Sequence, residues 1–97
     1  MDTGYVKIID RKKAEEIAKK LSAKLIYEDE WENRYFAYPL THKDWLIIAV
    51  AGAGKIAIMP SFSEAVSFIV NEGKGTFSEK QIEQALFKLV EEAMEVK

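Results

Sequence analysis

Val6 and Ile8 alternate with Lys7 across Tyr5–Ile9, the two-residue period of a short strand. Asp10 follows in the place of a helix N-cap, and Ala14, Ile17, Ala18 and Leu21 then recur at the three-and-four spacing of one helical face. Residues 25–28 and Arg34–Pro39 form two strand patterns joined through the acidic tip Asp29-Glu30-Trp31-Glu32-Asn33. Residues 45–51 and 55–59 form a second pair, turned at Gly52-Ala53-Gly54. Pro39 cannot donate to a ladder and suits the end of a strand.

The rest of the chain is helical in period. Ser61 with Glu64 three positions on is a capping box. Phe62, Ala65, Val66 and Ile69 then share a face until Gly73, a natural C-terminal stop. Ser78 with Gln81 repeats the box, and Ile82, Ala85, Leu86, Leu89, Val90, Ala93 and Met94 give the most regular stripe in the chain, with Phe87 just beside it.

Each hairpin makes antiparallel neighbours. The pattern therefore predicts an α+β fold: one mostly antiparallel sheet of four or five strands, packed with three helices in the order β-α-β-β-β-β-α-α, over a single domain spanning 1–97. The place of Tyr5–Ile9 in the sheet is open. Leu46-Ile47-Ile48-Ala49-Val50 does not alternate, so both faces of that strand must be covered, by the three helices or by another copy of the chain.

Gly52 and Gly54 before Lys55 resemble a phosphate loop only superficially. That motif needs glycine where Ala49 stands and Ser or Thr where Ile56 stands, and it must open a helix. Ile56-Ala57-Ile58-Met59 alternates like a strand and runs into Pro60, so the glycines mark a turn.

Composition narrows the function classes. Among 97 residues there is no cysteine, which excludes disulfides, thiolate metal sites and thiol catalysis. A net charge of -2 argues against a dedicated binder of nucleic acid backbone. No apolar run has the length of a membrane span, and MDTGYVKIIDRKK lacks the apolar stretch of a signal peptide, so a cytoplasmic location is expected. Charged residues dominated by Lys and Glu, with few Asn and Gln, lean toward a thermophilic source.

No catalytic cluster is marked. His42 is the one histidine, in Thr41-His42-Lys43-Asp44, with no nucleophile beside it. Ser61 is explained as a cap. Glu28, Asp29, Glu30, Glu32 and Asn33 concentrate oxygens, but without the spacing and glycine of a calcium loop, so neither a metal nor a cofactor is expected.

The aromatic residues carry more information. Trp31, Tyr35, Phe36, Tyr38 and Trp45 crowd into a short stretch; Arg34, Phe36 and Tyr38 share one face of their strand, and Tyr35 and Ala37 share the other. Trp31 stands between acids at a turn, where it either folds back over its hairpin or is exposed as an anchor. The leading expectation is a small non-enzymatic binding or regulatory module that works through protein contacts at Trp31, Glu30, Glu32, Arg34 and Tyr35, with a homodimer as one form of it. The alternative is nucleic acid binding through Lys12, Lys13, Lys19 and Lys20 with Phe36 and Tyr38. A third is a small ligand-binding or enzymatic domain with His42 at a pocket rim. Glu15 and Glu16, four residues before Lys19 and Lys20, make a solvated helix face the simpler account of those lysines.

Overall fold

The computed structural model describes residues 5–41, 44–73 and 78–95, with residues 92–95 described by their backbone alone. In chain order the elements are β1 (Tyr5–Ile9), α1 (Arg11–Leu21), β2 (Lys24–Glu28), β3 (Arg34–Pro39), β4 (Trp45–Val50), β5 (Gly54–Met59), α2 (Phe62–Gly73) and α3 (Glu79–Glu95). This is the expected order, and the sheet has five strands. They lie in the spatial order β1-β5-β4-β3-β2, every neighbouring pair antiparallel. The chain thus leaves one edge at β1, crosses through α1 to the other edge, and returns strand by strand until β5 meets β1.

That route puts the wholly apolar β4 in the middle, where neither face meets water. Leu46, Ile48 and Val50 pack with Ala14 and Ala18 of α1, while Trp45, Ile47 and Ala49 pack with Ala65, Val66 and Ile69 of α2 and Ile82, Leu86 and Leu89 of α3. All six β4 residues are buried. The chain's own helices cover the strand, so β4 does not call for a second copy. Trp45, Ile47, Ile48, Ile69, Ile82 and Leu86 are among the largest fully buried side chains, each stabilising the fold by roughly 1.5–3 kcal/mol.

The turn between β4 and β5 is the expected hairpin. Val50 pairs with Gly54 across Ala51-Gly52-Ala53. The two glycines differ in purpose. Gly52 has open space where a Cβ would stand, whereas a Cβ on Gly54 would meet the Asp10 carbonyl oxygen at 2.8 Å and the Ala14 Cβ at 2.9 Å. Gly54 is there because α1 begins directly on top of it.

The helix ends follow the sequence signals in part. At Ser78 the capping box is complete: the Gln81 amide donates to the Ser78 hydroxyl at 3.2 Å and the Ser78 amide to Gln81 Oε1 at 2.9 Å. At Ser61 its hydroxyl accepts from the Glu64 amide at 3.2 Å, while Glu64 Oε1 is buried with no hydrogen-bond partner among the described residues. Asp10 holds the N-cap position of α1, but its side chain makes no cap hydrogen bond; its carbonyl oxygen accepts the first helical bond, from Ala14. Ser22 ends α1 with a left-handed φ of 56°, and Ala23 donates back to Ala18 as Ser22 does to Lys19.

Candidate functional site

Trp31 sits at the far end of the β2–β3 hairpin and is 68% exposed. Its side chain is free, but the backbone beneath it is tied down. Asp29 Oδ1 accepts from the Trp31 amide at 2.9 Å and from the Asn33 amide at 3.0 Å, and Oδ2 accepts from Asn33 Nδ2 at 2.8 Å. The Asp29 amide donates to the Asn33 carbonyl, and the Glu32 amide to the Asp29 carbonyl, both at 3.1 Å. One carboxylate therefore organises the whole loop, the habit of Asp at a turn. Glu32 completes it with a left-handed φ of 64°, a conformation that β-carbon crowding makes uncommon outside glycine.

Desolvation pushes the Asp29 carboxyl upward, but the hydrogen bonds from the Asn33 side chain and from the Asn33 and Trp31 amides outweigh it and hold the group below its ordinary value.

The tip is also fastened to the body. Arg11, in the first turn of α1, donates from Nη1 to the Ala51 carbonyl at 2.6 Å and from Nη2 to the Glu32 carbonyl at 3.0 Å. It joins the two hairpin ends to the helix. Arg34, at the base of the tip, pairs with Glu15 of α1 at 2.9 Å and lies 3.8 Å from Glu28. Both arginines are thus occupied in holding the hairpin, whereas Glu30 and Glu32 are exposed and have no ion pair among the described residues.

The five residues expected to meet a protein partner separate accordingly. Trp31, Glu30 and Glu32 share the exposed tip. Arg34 is half-buried in its ion pairs. Tyr35 is in the core under α2 and α3, because its strand turns that side chain to the opposite face from Arg34; an accessible Tyr35 is corrected by its burial. Burial, together with the charges of Glu72 and Asp29, raises the Tyr35 phenol above its ordinary value. Asp29 and Asn33, in the expected tip but not among the residues expected to meet a partner, hold it together with Arg11, which sequence reasoning did not place there. An aspartate four residues before an asparagine at a hairpin end was the available signal for two of them; Arg11 reaches across 40 positions to Ala51, which no local pattern encodes.

On the α1 side the sheet is only half covered. α1 lies over β4 and β5, which leaves β3 and β2 without a helix above them. The result is a groove of about 590 Å³ lined by Lys12, Glu15, Lys19, Arg34 and Phe36 among others. It gathers Lys12 and Lys19 of the alternative nucleic acid set beside Phe36. Lys13 and Lys20 line a second, more open surface along α1 that shares Glu16 and Lys19 with the groove. Phe36 and Tyr38 are half-buried against the α1-side core, and Phe36 is in the lining of the groove.

His42 lies outside the described residues. On either side of it, the Leu40 amide donates to the Asp44 carbonyl at 2.9 Å and the Asp44 amide to the Thr41 hydroxyl at 3.0 Å. Among the described residues no three His, Cys, Asp or Glu side chains are grouped to hold a metal, and no helix is long and apolar enough to cross a membrane.

Fold and tip together define a three-layer α+β domain that presents one exposed aromatic ring among carboxylates on a braced hairpin. No protein-family pattern, curated protein or solved structure matches the chain.

Proposed function

We propose that the protein is a small non-enzymatic binding module that engages a protein partner through Trp31, flanked by Glu30 and Glu32. The observation that carries this reading is the contrast between an indole 68% exposed and a loop backbone held by Asp29. Ordering a contact residue costs affinity at the moment of binding, and a loop already ordered avoids much of that cost. An exposed tryptophan with adjacent carboxylates attracts lysine and arginine: the ring face takes the cation, and the acids supply complementary charge at the rim. A cytoplasmic setting belongs to this proposal, resting on the absence of cysteine.

The test is selection of binders from a displayed random-peptide library, using wild-type protein and Trp31→Ala in parallel. The expected result is enrichment of Lys- and Arg-containing peptides that Trp31→Ala no longer retains while its circular dichroism and melting are unchanged. Selected peptides that lack basic residues, or that bind Trp31→Ala equally, would overturn it.

Nucleic acid binding is the second reading, supported by the groove that brings Lys12, Lys19 and Arg34 around Phe36. Glu15 and Glu16 line the same groove and oppose a phosphate there. Fluorescence polarisation with single-stranded probes decides it. Binding through these lysines weakens steeply as salt rises and in Lys12→Gln and Lys19→Gln; no binding at low salt removes the reading.

A further inference from the structure

We propose that β1 is an interface at which two copies of this chain pair edge to edge and antiparallel, joining their five-stranded sheets into one. β1 pairs with β5 on one side, in an unbroken register from Tyr5 opposite Ile58 to Ile9 opposite Gly54. No strand among the described residues occupies its other side, so a row of backbone donors and acceptors faces outward.

The side chains around that edge are apolar on both faces of the sheet. Val6, opposite Ala57, and Ile8, opposite Lys55, lie on the α2 and α3 face and are 48% and 67% exposed. Tyr5, 52% exposed, lies opposite Ile58, 38% exposed, on the α1 face. Proteins ordinarily blunt such an edge with charge, proline, a bulge or a cover. The opposite edge of this sheet is treated in that way. In β2 the register slips between Leu25 and Tyr27, and the strand begins at Lys24 and ends at Glu28. In β1 only Lys7 serves.

This asymmetry selects the occupant. Addition of β1 to the β2 of another copy would build an open filament, and the bulge and charges of β2 oppose it. A β1–β1 pairing about a two-fold axis closes on itself, because an antiparallel strand edge is complementary to its own copy. Lys7 constrains the register. Pairing centred on Lys7 sets two ammonium groups side by side, whereas centring on Val6 or Ile8 sets Lys7 against Tyr5 of the partner subunit or Ile9 of the partner subunit. A net charge of only -2 per chain adds little repulsion between copies. The pairing is independent of the Trp31 tip.

Light scattering coupled to size exclusion, run across a wide range of protein concentration, reads the outcome directly. The expected mass is twice the 11.1 kDa of one chain at the upper end. Val6→Lys and Ile8→Lys should weaken association by about tenfold or more, since each places a charge in the joined sheet twice over. Phe87→Glu, on the distant α3, should leave it unchanged. Both β1 positions are exposed, so circular dichroism should show the variants folded. On the wild-type protein alone, amide exchange within Tyr5–Ile9 should slow as concentration rises. A single-chain mass at every concentration overturns the proposal and leaves the edge to a foreign strand. A dimer that survives Ile8→Lys, or exchange in β1 that ignores concentration, overturns it equally.

Discussion

Gly54 and Ala14 approach so closely that a Cβ on the glycine would stand 2.9 Å from the alanine Cβ, and 2.8 Å from the carbonyl oxygen of Asp10. The start of α1 therefore rests on the backbone of β5 with no side chain between them. This contact sets how near the first helix sits to the sheet. It also explains a glycine that sequence alone assigns to the turn.

Gly54→Ala should destabilise the protein by about 1–3 kcal/mol, because the added methyl meets backbone that cannot move aside cheaply. Gly52→Ala, with open space at its Cβ and a φ outside the left-handed region, should be neutral or stabilising by up to about 1 kcal/mol. Urea denaturation of the two variants measures the difference. Equal stabilities would remove the close-approach account.

Ser22 is held at a φ of 56° where α1 ends. Ser22→Gly should relieve this and stabilise the fold by about 1 kcal/mol, seen as a rise in Tm of roughly 4–8 °C. A lower Tm would mean that Ser22 contributes more through its side chain than its backbone costs.

Asp29 stays ionised to lower pH in the folded protein than in the unfolded chain, because its hydrogen bonds favour the carboxylate. Its contribution is complete above the unfolded value of about 3.9 and is lost as pH falls through the lower folded value. Asp29→Asn should therefore show a flatter loss of stability below about pH 4 than the wild type. Chemical denaturation at stepped pH gives both curves, and parallel curves would disprove the linkage.

The two tryptophans should separate cleanly in solution. Trp31 is 68% exposed and Trp45 is 1% exposed, edge-on to Phe62 with ring centroids 6.3 Å apart. Acrylamide should quench most strongly a component that Trp31→Phe removes and Trp45→Phe leaves. Quenching that persists in Trp31→Phe would show the indole folded back over its hairpin.

Local pattern carried the fold a long way. Alternation in β3, capping residues before α2 and α3, and the stripe of α3 are properties of neighbouring residues, so the chain displays them without its tertiary structure. The unbroken apolar run of β4 likewise demanded cover on both faces. Whether helices or another copy supplied that cover was decided only by α1 crossing to one face while α2 and α3 took the other. The tip divides in the same manner: its acids, its tryptophan and the Asp29–Asn33 spacing are local, but the exposure of Trp31 depends on what packs around the loop. The Arg11 brace, the fit of Gly54 beneath α1, the burial of Tyr35 and the open edge at β1 join residues far apart in the chain. Periodicity says which way a side chain points along its own element; only the assembled sheet determines what stands opposite it.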